Sequence, residues 1–87
     1  MDSSRCLQPT EGIQVNQVTD GYVVYDPGRE RIHYLNHTAV LVLELCNGQV
    51  TAGEIPSLVQ AAYELPATPV DEVTTCLEKL VEEGLVH

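Results

Sequence analysis

The hydrophobic pattern predicts an α+β domain in which a three-stranded antiparallel sheet is followed by three helices. Two short β-branched and aromatic runs, YVVYD (22–26) and RIHYL (31–35), flank a Pro-Gly turn. The second run leads directly into the most apolar stretch, HTAVLVLELC (37–46). Two more segments with helical start and stop signals fill the remainder up to Gly84. At 87 residues there is room for one domain.

Residues 1–12 are polar and contain Pro9 and Gly12, so they read as a flexible lead-in to a domain over 13–87. IQVNQVT (13–19) alternates apolar and polar residues and predicts the first strand. Asp20-Gly21 predicts a tight hairpin turn into the second strand. Pro27-Gly28 suits the central positions of a type II turn, with proline presetting φ and glycine accepting a positive φ. The third strand is then RIHYL, and no strand of this meander carries an internal proline.

Asn36 predicts an N-cap, because its side-chain oxygen can accept from an orphaned helix N–H. Asn47-Gly48 predicts the end of that helix, with glycine at the left-handed C′ position. The helix is apolar nearly all round, broken by His37 and Glu44, and is expected to be buried on most sides. Thr51-x-x-Glu54 reads as a capping box ahead of a second helix whose face holds Ile55, Leu58, Val59 and Ala62. Pro56 conflicts with a helix starting at Thr51, and points to a start nearer Gly53 or a distorted first turn. Thr68-Pro69 reads as a cap followed by proline at the first helical position, opening a third helix to about Glu83. Its apolar arc holds Val70, Val73, Leu77, Leu80 and Val81, with Cys76 at one margin. This element order has the outline of a winged helix-turn-helix domain.

Charge restricts the partners. Four Lys/Arg against thirteen Asp/Glu give a formal charge of −9. Nucleic-acid binding needs a basic face to neutralise phosphates, and an acidic surface repels phosphate and anionic membranes alike. Neither partner is expected. The three cysteines are far apart in sequence and form no CxxC pair, and no apolar span reaches membrane-crossing length. A cytoplasmic protein with reduced thiols is the expectation.

No catalytic constellation is evident. His33-x-x-x-His37 has metal-ligand spacing only within one helix, but Asn36 caps the helix between them. Cys46 lies in the buried helix and Cys76 beside an apolar face, so both read as packing residues rather than nucleophiles. The paired carboxylates Asp71-Glu72 and Glu82-Glu83 read as solvated faces, and no phosphate-cradling glycine loop exists. Neither cofactor, metal site nor catalysis by this chain is expected. Binding remains. In a simple meander the third strand has one partner, and its outer edge offers unpaired N–H and C=O groups. An extended peptide can add there as a further strand. Ile32 and Tyr34 share one face of that strand and His33 and Leu35 the other, and the sequence leaves open which pair faces a groove. Arg29, Arg31 and Lys79 are rare cations that could pair with a ligand's carboxylates.

Asp20-Gly21, Leu35-Asn36-His37-Thr38-Ala39, Leu43-Glu44-Leu45, Gly48, Thr51-x-x-Glu54-Ile55 and Leu80-x-x-x-Gly84-Leu85-Val86 together resemble the PqqD family, also called the RiPP recognition element, over about residues 12–87. The chain departs from it at Leu43, near which relatives commonly carry an aromatic residue, and at Pro56, Pro66 and Pro69. The resemblance implies a peptide chaperone that captures the leader segment of a ribosomally made precursor peptide by strand addition. It also implies a partner modifying enzyme: a radical-SAM protein, a protease or a cyclase. The implied peptide-binding residues are Arg31, Ile32, His33, Tyr34 and Leu35 of the strand with Val70, Val73, Cys76, Leu77, Lys79 and Leu80 of the third helix. Pairing of two open strand edges would also permit a homodimer. The alternative reading of the element order is a winged-helix regulator that binds DNA or a partner protein.

Overall fold

The computed structural model describes residues 4–87. Strands β1 (Gln14–Val18), β2 (Gly21–Asp26) and β3 (Arg31–Leu35) are followed by helices α1 (His37–Leu45), α2 (Ile55–Tyr63) and α3 (Val70–Glu82). The sheet is antiparallel in the order β1-β2-β3, which leaves β3 at an edge. This is the expected α+β, βββααα layout.

Both hairpin turns differ in detail from expectation. Val18 pairs with Gly21, so the two-residue loop is Thr19–Asp20 and Gly21 belongs to β2. Glycine is needed at 21 for space: a Cβ there would stand 2.7 Å from the Leu35 carbonyl oxygen. The second loop is not a type II turn, since Gly28 stays outside the positive-φ region and Glu30 enters it at φ 54°. The Asp26 carbonyl accepts from Arg29 N–H at 3.3 Å and the Pro27 carbonyl from Glu30 N–H at 3.4 Å. Two overlapping turns followed by a left-handed residue match the strand twist better than a type II turn would.

Helix ends follow the sequence with shifts. Asn36 Oδ1 accepts from Ala39 N–H at 2.8 Å, as expected of an N-cap. The C-cap of α1 is Cys46, so Gly48 lies beyond the C′ position. Its positive φ of 82° instead aims its N–H at the Leu7 carbonyl, 2.9 Å away. Regular α2 begins at Ile55, and Pro56 falls at its second position, where an N–H would have no intrahelical partner. The capping box is half-formed: the Thr51 N–H and hydroxyl both donate to Glu54 Oε1, while Glu54 N–H donates to the Thr51 carbonyl. Thr68 does not cap α3. Pro69 takes that position with φ −81° and ψ 63°, an inverse γ-turn closed by Val70 N–H donating to Thr68 C=O. The Thr68 hydroxyl bonds Gln60 of α2 instead.

The core lies between the inner sheet face and the helices. Val24 and Leu35 meet Val40, Val42 and Leu43 of α1, Ile55 and Val59 of α2, and Val73, Leu77 and Leu80 of α3. The described part of the expected lead-in lies against the domain. The first three residues lie outside the described residues, but Leu7 is fully buried. Gln8 and His87 exchange two backbone bonds of 2.8 Å, and the Arg5 carbonyl accepts from Ala52 N–H at 2.8 Å. A single leucine and a few main-chain bonds fasten this segment over the α1–α2 connection and the C-terminus. Full burial of one such side chain contributes about 1.5–3 kcal/mol.

Candidate functional site

The phase of the sheet decides which main-chain groups are open. A two-residue loop makes Val18–Gly21 a hydrogen-bonded pair, and hydrogen-bonded pairs alternate along an antiparallel ladder. Gly21, Val23 and Tyr25 therefore turn their peptide groups toward β1, and Tyr22, Val24 and Asp26 turn theirs toward β3. The other hairpin requires the same phase. A non-hydrogen-bonded Asp26–Arg31 pair would need an N–H from residue 27, which is proline. Arg31, His33 and Leu35 thus bond β2, and Ile32 and Tyr34 direct their N–H and C=O groups away from the sheet.

That edge borders a groove of about 550 Å³ between β3, the first turn of α1 and one face of α3. Ile32, His33, Tyr34 and Leu35 line it from the strand, and Cys76, Lys79 and Leu80 from the helix. Of the other sequence-selected positions, Arg31 starts the strand outside the lining. Val73 and Leu77 are core residues, 1% and 2% exposed. Val70 and Leu77 border a separate cleft between α2 and α3, lined also by Pro56 and Thr74. These three lie outside the groove lining: the apolar arc of α3 faces the core and α2, and the groove takes the adjoining polar stripe. Glu72, Thr75 and Glu83 on that stripe, with Asn36, Thr38 and Ala39, line the groove and were missed. Their signal was available, since 72, 75, 76, 79, 80 and 83 follow helical spacing.

The alternation along β3 answers which pair faces where. Ile32 and Tyr34 place their side chains on the outer sheet face, 70% and 59% exposed. The Tyr34 hydroxyl donates to the Asp20 carbonyl at 2.7 Å, bracing the first hairpin across Gly21. His33 and Leu35 point inward. His33 Nδ1 lies 3.1 Å from Glu83 Oε2, joining β3 to the end of α3, and its buried Nε2 has no hydrogen-bond partner among the described residues. Arg29 reaches the Glu83 carbonyl from the β2–β3 loop, so the C-terminal end of α3 sits beside the start of β3.

Burial pushes the Cys76 thiol up, with the Lys79 ammonium opposing, and burial pushes Cys46 up to about 11 with Cys76 adding to it. Both are thiols at neutral pH, poor nucleophiles and poor metal ligands. His37 packs edge-on against Tyr22, ring centres 5.2 Å apart, and does not join His33. Among the described residues no group of three His, Cys, Asp or Glu side chains is placed to hold a metal, and no helix is long and apolar enough to cross a membrane.

A family model described as coenzyme PQQ synthesis protein D (PqqD) matches residues 21–86. The chain belongs to the PqqD family. This is the RiPP recognition element family, a family of non-catalytic accessory domains that work with precursor peptides and the enzymes modifying them. No curated protein and no solved structure matches the chain. The PqqD match begins at Gly21, so β1 and the bracing N-terminal segment lie outside it.

Proposed function

We propose that this PqqD-family chain is a non-catalytic peptide chaperone. It captures the leader segment of a ribosomally synthesised precursor by adding it as a fourth strand on β3, then presents the loaded peptide to a modifying enzyme. One observation carries the reading: the peptide groups of Ile32 and Tyr34 stand unpaired by β2 at the lip of the groove beneath α3. Main-chain bonds to those groups supply affinity, and alternate side chains of the guest enter the groove. The partner enzyme is a radical-SAM protein, a protease or a cyclase acting in the cytoplasm.

A DNA-binding role draws no support from the charges. Helix α3 carries Asp71, Glu72, Glu78 and Glu82 against Lys79, the reverse of a phosphate-seeking helix. Titration of the 15N-labelled chain with synthetic leader segments of candidate precursors tests the proposal. Capture should move the amide signals of Ile32 and Tyr34 and of the Thr75–Lys79 face. Shifts confined to other surfaces, or none with any leader, would refute it.

A further inference from the structure

The charges of the groove are sparse and separated. Lys79 is exposed and holds no salt bridge among the described residues, although the chain has thirteen carboxylates. The other cations are placed elsewhere: Arg29 bonds the Glu83 carbonyl, Arg31 starts β3 outside the lining, and Arg5 lies on the N-terminal segment. Glu72, on the same face of α3, is likewise exposed and unpaired, whereas Glu83 is engaged by His33. The groove therefore offers one open positive and one open negative charge.

Resting on the peptide-capture reading, we propose that the groove selects a strand bearing an acidic side chain seated at Lys79 and a basic one seated at Glu72, two or four residues apart. Seven helical residues separate the two charges by about 10.5 Å along the axis of α3. An added strand advances about 3.3 Å per residue, and only alternate side chains face the helix. Three residues would match the length best, but would send one charge to the outer sheet face. Spacings of two and four miss by about 3–4 Å, which the flexible Lys and Glu side chains span. A uniformly acidic strand would meet Glu72 and the −9 body, and a uniformly basic one would meet Lys79. The pair also fixes which way the strand runs.

The probe is a phage-displayed library of random dodecapeptides panned on the intact chain and on Lys79→Glu, Glu72→Lys and Arg5→Glu. Peptides that shift the Ile32 and Tyr34 amides should be enriched in an acid–base pair at those spacings. A peptide selected on the native chain should bind Lys79→Glu about fivefold more weakly, and recover when its acid is replaced by lysine. Arg5→Glu, with the same change of net charge away from the groove, should keep the native preference. Groove-bound peptides without an acid preference, or an equal change in Arg5→Glu, would overturn the charge assignment while leaving peptide capture standing. If no selected peptide shifts those two amides, capture at β3 fails and the charge assignment fails with it.

Discussion

Replacing Ile32 by proline removes one main-chain donor from the open edge, whereas the same change at His33 removes one from the sheet itself. The side chain of Ile32 is 70% exposed, so little burial is lost, and its N–H does not serve β2. Proline is tolerated on an edge strand in that orientation, and Arg31 before it already has the extended conformation proline demands. Ile32→Pro should cost about 1 kcal/mol or less of stability, a melting shift of at most about 8 °C for a domain of this size. His33→Pro loses the bond to Val24, strands a buried carbonyl and breaks the Glu83 contact. Its cost should be roughly 3 kcal/mol or more. Peptide binding should respond in the opposite sense. One lost main-chain bond weakens affinity about two- to twelvefold, and the ring adds a steric block where the guest carbonyl must sit. Fluorescence anisotropy with a groove-selected peptide and thermal denaturation by circular dichroism measure both effects. If Ile32→Pro binds like the native chain, the guest does not use this edge. If it melts as low as His33→Pro, the hydrogen-bond phase assigned to β3 is wrong.

Three further outcomes are expected. Leu7→Ala should destabilise the domain by about 3 kcal/mol, because it empties a fully enclosed site, whereas exposed Gln8→Ala should cost under about 0.5 kcal/mol in urea unfolding. Gly21→Ala should cost about 1–3 kcal/mol, since its Cβ would meet the Leu35 carbonyl at 2.7 Å and the Tyr34 hydroxyl at 2.9 Å; unchanged stability and unchanged Leu35 amide shifts would contradict that geometry. Stability should also fall as pH rises from about 9 toward 11. Over that window the unfolded chain ionises a Cys46 thiol that the folded chain keeps protonated, so the stabilisation present below 9 is lost. The loss is on the order of 2–3 kcal/mol, and Cys46→Ala should show a correspondingly shallower alkaline slope.

Much of the fold was legible because local signals agreed with one another. The bounds of β3 and the Asn36 cap both follow from residue types at fixed offsets. The turns were less legible. Asp20-Gly21 and Pro27-Gly28 carry strong turn chemistry, but the first glycine is required by a carbonyl across the sheet and the second loop places its left-handed residue at Glu30. Neither constraint exists until β3 pairs with β2. The burial of Leu7 was illegible for a related reason: one leucine between polar residues has no periodicity, and its partners come from the middle and end of the chain.

The site residues divide along the same line, and the division bears on how the groove works. The resemblance, laid on the apolar arc of α3, took in Val70, Val73 and Leu77, which belong to the core and to the α2–α3 cleft, and passed over Glu72, Thr75 and Glu83. A helix packed on two sides spends its apolar arc inside the domain, so the face it turns to the groove is mostly polar. In the proposed capture, bonds to the main-chain groups of Ile32 and Tyr34 are indifferent to guest sequence. Choice among guests falls to the few side chains beside them. The open pair Lys79 and Glu72 is where that choice should be visible, and backbone disruption at Ile32 should weaken every guest alike while charge reversal at Lys79 re-sorts them.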